Sequence, residues 1–223
     1  RTIQLTNGKD NDFAPFFSKD SETIYFLSSR DKGKKLWSLS IYGGEAKEVH
    51  EFKDGISNIQ WLDENTFAFI SNDGKTLYEQ ELKEKKDNVV VVEDEAHWTK
   101  NRVYQFNLKE KEVTRLTEND YPITTYSLSK DGKWMVYSTR LSRHYASDGL
   151  PNPKFYLQNI ADGTRTEILE GLQTPYNFQF TADHKGFYFL AVLSSNPEWD
   201  GAGVSQVYYY DLASKNYQKV DLD

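Results

Sequence analysis

Cysteine is absent from the 223 residues. That excludes disulfide bridges, thiolate zinc sites and a cysteine nucleophile, and it leaves the compartment open between periplasm and cytoplasm. Histidine is scarce: His50, His97, His144 and His184 form neither a His-Glu-x-x-His helix motif nor a cluster with metal-ligand spacing, so no metal or other cofactor is expected. The acidic run Glu93-Asp94-Glu95 beside His97 reads as a hydrated loop. Phosphate-cradling glycine-rich loops are missing. So is a Gly-x-Ser-x-Gly nucleophile elbow, because Gly203-Val204-Ser205-Gln206-Val207 and Gly55-Ile56-Ser57-Asn58-Ile59 both lack the closing glycine. No serine hydrolase centre is therefore encoded in this stretch. No segment approaches the roughly 20 apolar residues of a membrane span, so no membrane partner is expected. Basic charge is also short, with 27 Lys and Arg against 34 Asp and Glu and a net charge of −7, which argues against a nucleic-acid partner.

Aromatic residues are abundant. Fifteen Tyr, 13 Phe and five Trp stand against a single Met, so aromatic rings carry the core. They recur in phase. Aligned on Asp20, Asp63, Asp131 and Asp183, the fourth following position holds Ile24, Phe67, Met135 or Phe187, and the fifth Tyr25, Ala68, Val136 or Tyr188. The sixth holds Phe26, Phe69, Tyr137 or Phe189, and the seventh Leu27, Ile70, Ser138 or Leu190. In the clearest copy, 129–140, a polar turn of Lys130, Asp131, Gly132 and Lys133 leads into this run, which reads as a hairpin. Consecutive apolar positions predict a strand buried on both faces.

A second pattern follows each of these strands: Trp37, Ile41, Val49; Tyr104, Leu108, Leu116; Tyr156, Ile160, Ile168; and Tyr208, Leu212, Val220. Turn residues such as Gly43-Gly44 or Ala161-Asp162-Gly163 separate the last two anchors of a copy. Each repeat is thus predicted to be four antiparallel strands. The turn aspartates are 43, 68 and 52 residues apart, and a four-stranded unit of about 40 to 50 residues is the signature of a β-propeller blade. A β-sandwich is the alternative all-β architecture, but it does not repeat its anchors in phase.

The predicted architecture is an all-β propeller of about four blades, at 13–50, 55–117, 121–169 and 174–221. Residues 1–6 are read as the outer strand of an upstream blade, and the whole as part of a larger propeller, with self-association expected through exposed blade edges. The long second interval reflects an insertion at 72–102, whose charged stretch suits a short exposed helix. Shorter insertions are expected at 141–154 and 193–206. All leave the same face of the disc, since they join the second strand of a blade to the third. That face gathers the candidate binding residues His97, Trp98, Arg140, Arg143, His144, Tyr145, Trp199 and Asp200.

The phrases Phe17-Ser18-Lys19-Asp20-Ser21-Glu22-Thr23-Ile24-Tyr25-Phe26 and Ser129-Lys130-Asp131-Gly132-Lys133-Trp134 resemble the repeat shared by TolB and tricorn propellers and by the propeller of prolyl-oligopeptidase-type serine peptidases. In the second repeat a Lys/Glu-rich stretch precedes Asn88-Val89-Val90-Val91-Val92-Glu93-Asp94 and then Asn101-Arg102-Val103-Tyr104, an arrangement similar to the dipeptidyl and acylaminoacyl peptidase branch. The resemblance runs over essentially the whole chain. It implies a non-catalytic propeller that gates and orients peptide substrates for a covalently linked α/β-hydrolase domain carrying a Ser-Asp-His triad. No catalytic residue carries over onto this sequence, and the Tyr-Glu-Glu segment of some dipeptidyl peptidases has no counterpart. Two rival readings share the repeat: a TolB-like protein-interaction scaffold, and a propeller lyase acting on acidic oligosaccharides.

Overall fold

The computed structural model describes residues 4–6, 9–30, 34–74, 77–87, 98–170, 172, 175–194 and 203–221, with 77–79, 193 and 194 described as backbone only. Four antiparallel four-stranded sheets follow one another along the chain, each meandering in sequence order. Blade one holds β1 (Asp12–Phe17), β2 (Thr23–Ser28), β3 (Lys35–Ser40) and β4 (Lys47–Glu51). Blade two holds β5 (Ser57–Trp61), β6 (Thr66–Asn72), β7 (Asn101–Asn107) and β8 (Glu112–Arg115), with helix α1 (Leu77–Glu84) between β6 and β7. Blade three holds β9 (Ile123–Leu128), β10 (Trp134–Thr139), β11 (Lys154–Asn159) and β12 (Arg165–Ile168), with α2 (Tyr145–Asp148) between β10 and β11. Blade four holds β13 (Tyr176–Phe180), β14 (Gly186–Ser194), β15 (Gly203–Asp211) and β16 (Asn216–Lys219). The chain is a four-bladed β-propeller array. Of the segment read as an upstream outer strand, residues 4–6 are described and lie in no strand.

The repeated Ser-x-Asp phrase is explained by the first turn of each blade. The Ser129 hydroxyl donates to Asp131 at 2.7 Å and accepts from the Trp134 amide at 2.9 Å, while the Asp131 carboxylate also accepts from the Lys133 amide. Ser18 and Asp20 close the equivalent turn in blade one, and Thr181 and Asp183 in blade four. Short hydroxyl and carboxylate side chains replace backbone partners, which is why these residue types punctuate the repeat. Blade two has Trp61 at the hydroxyl position. Its indole instead donates to the Phe17 carbonyl of blade one at 2.7 Å.

Three aromatic-rich clusters fill the spaces between consecutive blades, and they assign a direction to each strand face. Tyr25 and Leu27 of β2 meet Phe67 and Phe69 of β6; Ala68 and Ile70 of β6 meet Met135 and Tyr137 of β10; Val136 of β10 meets Phe187 and Phe189 of β14. Repeat positions four and six therefore face the preceding blade, and five and seven the following one. In β6, five consecutive residues from Thr66 are buried, as the consecutive apolar pattern predicts. In β14 the same pattern yields alternating burial, with Phe187 inaccessible and Tyr188 45% exposed, because no sheet covers the far side among the described residues.

Of the segment expected as an insertion at 193–206, the described residues 193, 194 and 203–206 lie in strands. β14 and β15 run on as one long hairpin, with Val192 opposite Ser205 and Ser194 opposite Gly203. The cross-strand partners that stabilise such an extension are nine or more residues apart, so no local turn signal marks it.

Candidate functional site

The loops joining second to third strands share one face of the array, and the connections from each blade to the next cross the same face. Of the eight residues singled out by sequence, His97, Trp199 and Asp200 lie outside the described residues. The other five belong to two neighbouring segments. The Arg143 guanidinium lies 5.4 Å from the centre of the Trp98 ring, which links the insertions of blades two and three by a cation–π contact. Arg140 is fixed at the end of β10 by its backbone amide, which donates to the Pro122 carbonyl at 2.9 Å. Its side-chain Nε is buried without a hydrogen-bond partner among the described residues. His144 caps α2: its amide donates to the Ser142 hydroxyl, and its carbonyl accepts from the amides of Ser147 and Asp148. Tyr145 opens that helix, and the left-handed Gly149 closes it by donating to the Tyr145 carbonyl at 2.9 Å.

Three clefts lie at the junction of blades one and two, where sequence reasoning placed nothing. One cleft of 280 Å³ is lined by Lys34, Asp54, Ser57, Asn72 and Asn101 over an apolar floor of Phe13 and Ile70. A second, of 420 Å³, runs from Asp54 past Ser71 and Asn72 to His50 and Tyr104. A third, of 600 Å³, separates Lys53 and Asp54 from Gln80, Lys83 and Glu84, so that α1 overhangs the junction. All three meet at Asp54. Asn72 and Asn101 are register partners at the insertion ends of β6 and β7, which puts two amide side chains at one cleft mouth. The Ser71 hydroxyl donates to the Gly55 carbonyl at 2.6 Å and fixes the blade connection that forms one wall.

A charged network holds the base of the blade-two insertion. Asp73 accepts from Arg102 Nε at 2.8 Å and from the Tyr104 hydroxyl at 2.9 Å, with Arg115 3.8 Å away. Arg102 is buried and donates a further bond to the Asn119 carbonyl. Partial burial opposes ionisation of Asp73, but the hydrogen bonds from Arg102 and Tyr104 and the charges of Arg102 and Arg115 outweigh it and lower its pKa. Burial, together with the bond to Asp73, pushes the Tyr104 phenol up to about 12. His50, on the wall of the second cleft, lies between the rings of Phe52 and Phe106. Its pKa is lowered by burial and by the charge of Lys111, with Glu51 partly opposing, which favours neutral imidazole. Among the described residues no three His, Cys, Asp or Glu side chains converge as a cation site requires.

Comparison with known proteins places this architecture. No family model matches the chain. An uncharacterized peptidase of Bacillus subtilis, YuxL, is 25% identical over 156 residues, which is 63% of this chain and 24% of the relative. Among solved structures, Pyrococcus horikoshii acylaminoacyl peptidase superposes with a TM-score of 0.60 at 19% identity, over 94% of this chain and 32% of its own. The fold is a β-propeller, and it is similar to part of the acylaminoacyl peptidase structure. The propeller is similar also to TolB from Acinetobacter baumannii (TM-score 0.56, 13% identity, 96% of this chain and 44% of that one). An oligogalacturonate lyase in complex with manganese gives a TM-score of 0.63 at 14% identity, over 97% of this chain and 55% of that one. The chain thus spans about a quarter of the curated relative and between a third and a little over half of these three structures.

Proposed function

We propose that the chain is the non-catalytic propeller portion of a serine peptidase, and that its insertion face gates and orients peptide substrates for a separate α/β-hydrolase domain. The observation that carries this reading is the meeting of three clefts at Asp54, beneath the overhanging α1. An extended peptide presents alternating N–H and C=O groups, and the Asn72 and Asn101 amides at one cleft mouth each offer both a donor and an acceptor. Lys34 and Asp54 on the same wall supply charge of either sign for a peptide terminus. Arg143 stacked on Trp98 and Arg140 at the end of β10 bring basic charge to the same face, suited to acidic side chains or a C-terminal carboxylate. The sequence similarity to a peptidase supports the reading.

The test is binding without turnover. A fluorescein-labelled octapeptide of mixed sequence should bind the chain, and the double variant Asn72→Ala/Asn101→Ala should weaken it roughly 10-fold, since each lost hydrogen bond is worth about 0.5–1.5 kcal/mol. The chain should release no nitroaniline from peptide p-nitroanilides. Hydrolysis by the chain itself, or binding indifferent to both asparagines, would overturn the assignment. The likeness to TolB favours a second reading, a protein-docking scaffold using the same face. Stable recovery of one folded partner, with no affinity for short peptides, would select it.

A further inference from the structure

Building on the peptide reading, we infer that the 280 Å³ cleft takes the C-terminal residue of a peptide, with the Lys34 ammonium receiving the terminal carboxylate.

Lys34 and Lys35 are neighbours in sequence with different surroundings. Lys35 opens β3 and is paired with Glu48 at 2.9 Å. Lys34 ends the connection from β2, and its carbonyl accepts from the Phe52 amide at 3.1 Å. Its side chain lines the cleft and makes no ion pair or hydrogen bond among the described residues. It is nevertheless placed. Gly55 has a left-handed φ of 75°, donates to the Phe52 carbonyl at 3.3 Å and accepts from the Ser71 hydroxyl at 2.6 Å, so the backbone there is held on both sides. The Lys34 stem lies across this glycine: an added Cβ would stand 2.9 Å from Lys34 Cδ and 3.3 Å from Nζ. A long charged side chain ordinarily keeps its freedom in water, and losing that freedom weakens any ion pair it forms. Here part of the ordering is already built into the free protein, which favours binding of a carboxylate.

The rest of the cleft suits one residue of peptide. Its 280 Å³ is near the lower end of the ~300–1,000 Å³ of ligand sites. Phe13, 47% exposed, and Ile70 give a side chain an apolar floor. Asp54 stands where this cleft meets the other two and, among the described residues, has no ion pair or hydrogen bond from its side chain. It is an acceptor for backbone N–H groups of the chain running outward, beside the Asn72 and Asn101 amides at the mouth. A carboxylate at Lys34 and N–H donors at Asp54 give the peptide one direction. An N-terminal ammonium seated in the same cleft would face Lys34 as a like charge.

The experiment is competition against an octapeptide carrying fluorescein at its N-terminus and bound to the 223-residue chain. The competitors are unlabelled octapeptides without Asp or Glu that end in leucine, one with a free carboxylate and one with a C-terminal amide, and a third, amidated peptide that ends in glutamate. The leucine acid should displace the label at about one tenth of the concentration the leucine amide needs, the difference of one charge-assisted contact. In Lys34→Met, which keeps the stem that packs on Gly55 and should keep the melting point, that ratio should fall to about one. Lys34→Arg should retain a several-fold preference for the acid. Equal displacement by acid and amide, or a ratio unaltered by Lys34→Met, overturns the inference and leaves the peptide reading standing. A glutamate amide as effective as the leucine acid overturns the C-terminal assignment in favour of acidic side chains. Failure of the labelled octapeptide to bind overturns the peptide reading and this inference with it.

Discussion

Replacing Phe67 by alanine tests whether the cores between blades, rather than the blades themselves, hold the array together. The Phe67 ring is inaccessible to solvent and lies 5.4–5.7 Å from the rings of Phe16, Trp61 and Phe106, with Phe69 at 5.9 Å and Phe52 at 6.5 Å. An aromatic side chain buries about 150–250 Å², which at ~25 cal/mol per Å² is about 4–6 kcal/mol as an upper bound. Measured Phe→Ala changes in cores cost about 3–5 kcal/mol because neighbours relax only partly. A loss of about 4 kcal/mol is expected. With a urea slope of about 2–3 kcal/mol per M, the midpoint should fall by roughly 1.3–2 M. Tyr188→Ala is the internal control: it removes a ring of similar size from a side chain 45% open to water, and should cost about 1 kcal/mol. Equal losses from the two variants, or a loss below about 1.5 kcal/mol for Phe67→Ala, would refute the directional packing of the blades.

Gly186 begins β14 with backbone so close that an added Cβ would stand 2.1 Å from the Tyr210 carbonyl oxygen and 2.5 Å from the Tyr209 hydroxyl. Gly186→Ala should therefore cost about 2 kcal/mol or more in the same urea assay, and a neutral result would mean that the β14–β15 pairing is looser than described. Asp73 has a lowered pKa, so the stability it contributes is present above the ordinary carboxylate pKa near 4 and is lost as pH falls through the lowered value. Asp73→Asn should flatten the acid limb of the stability profile below about pH 4. Tyr104 titrates in the opposite sense: its contribution is complete below pH 10 and disappears as pH rises towards about 12. The same variant removes a cause of that rise, so tyrosinate absorbance should show one phenol ionising earlier, and an unchanged titration would refute the Asp73–Tyr104 coupling.

Most of the fold was legible because it is repetitive. A hydroxyl and a carboxylate two residues apart announce the turn in blades one, three and four, and the aromatic anchors that follow are the side chains that meet across blades. The alternating burial of β14 was not legible, because its residue types match those of β6 and what separates them is that, among the described residues, no sheet covers the second face of β14. Trp98 and Arg143 lie 45 residues apart, topology alone puts them on one face, and their side chains meet there. The clefts at Asp54 were missed because their walls come from a blade connection, the end of β6 and the start of β7, residues that share no motif and meet only after the sheets have packed.

The innermost strands carry an irregularity whose consequence is kinetic. One extra residue interrupts the pairing of β1 with β2, of β5 with β6 and of β13 with β14 at the same place in the repeat, and Ala14, Asn58 and Asn177 adopt left-handed φ of 50°, 49° and 57° there. Repeats this similar invite one strand to settle on the wrong neighbour during folding, and a slip of one residue would turn every side chain to the opposite face. The bulge acts as a notch on a key: a shifted strand brings its left-handed residue against a partner that lacks the matching gap. In blade three the notch is cut one position further along, between Ser138 and Thr139, so β9 does not fit the partner of β5. The notch thus sets blade three apart from its neighbours, blades two and four, while blades one and two share the same one.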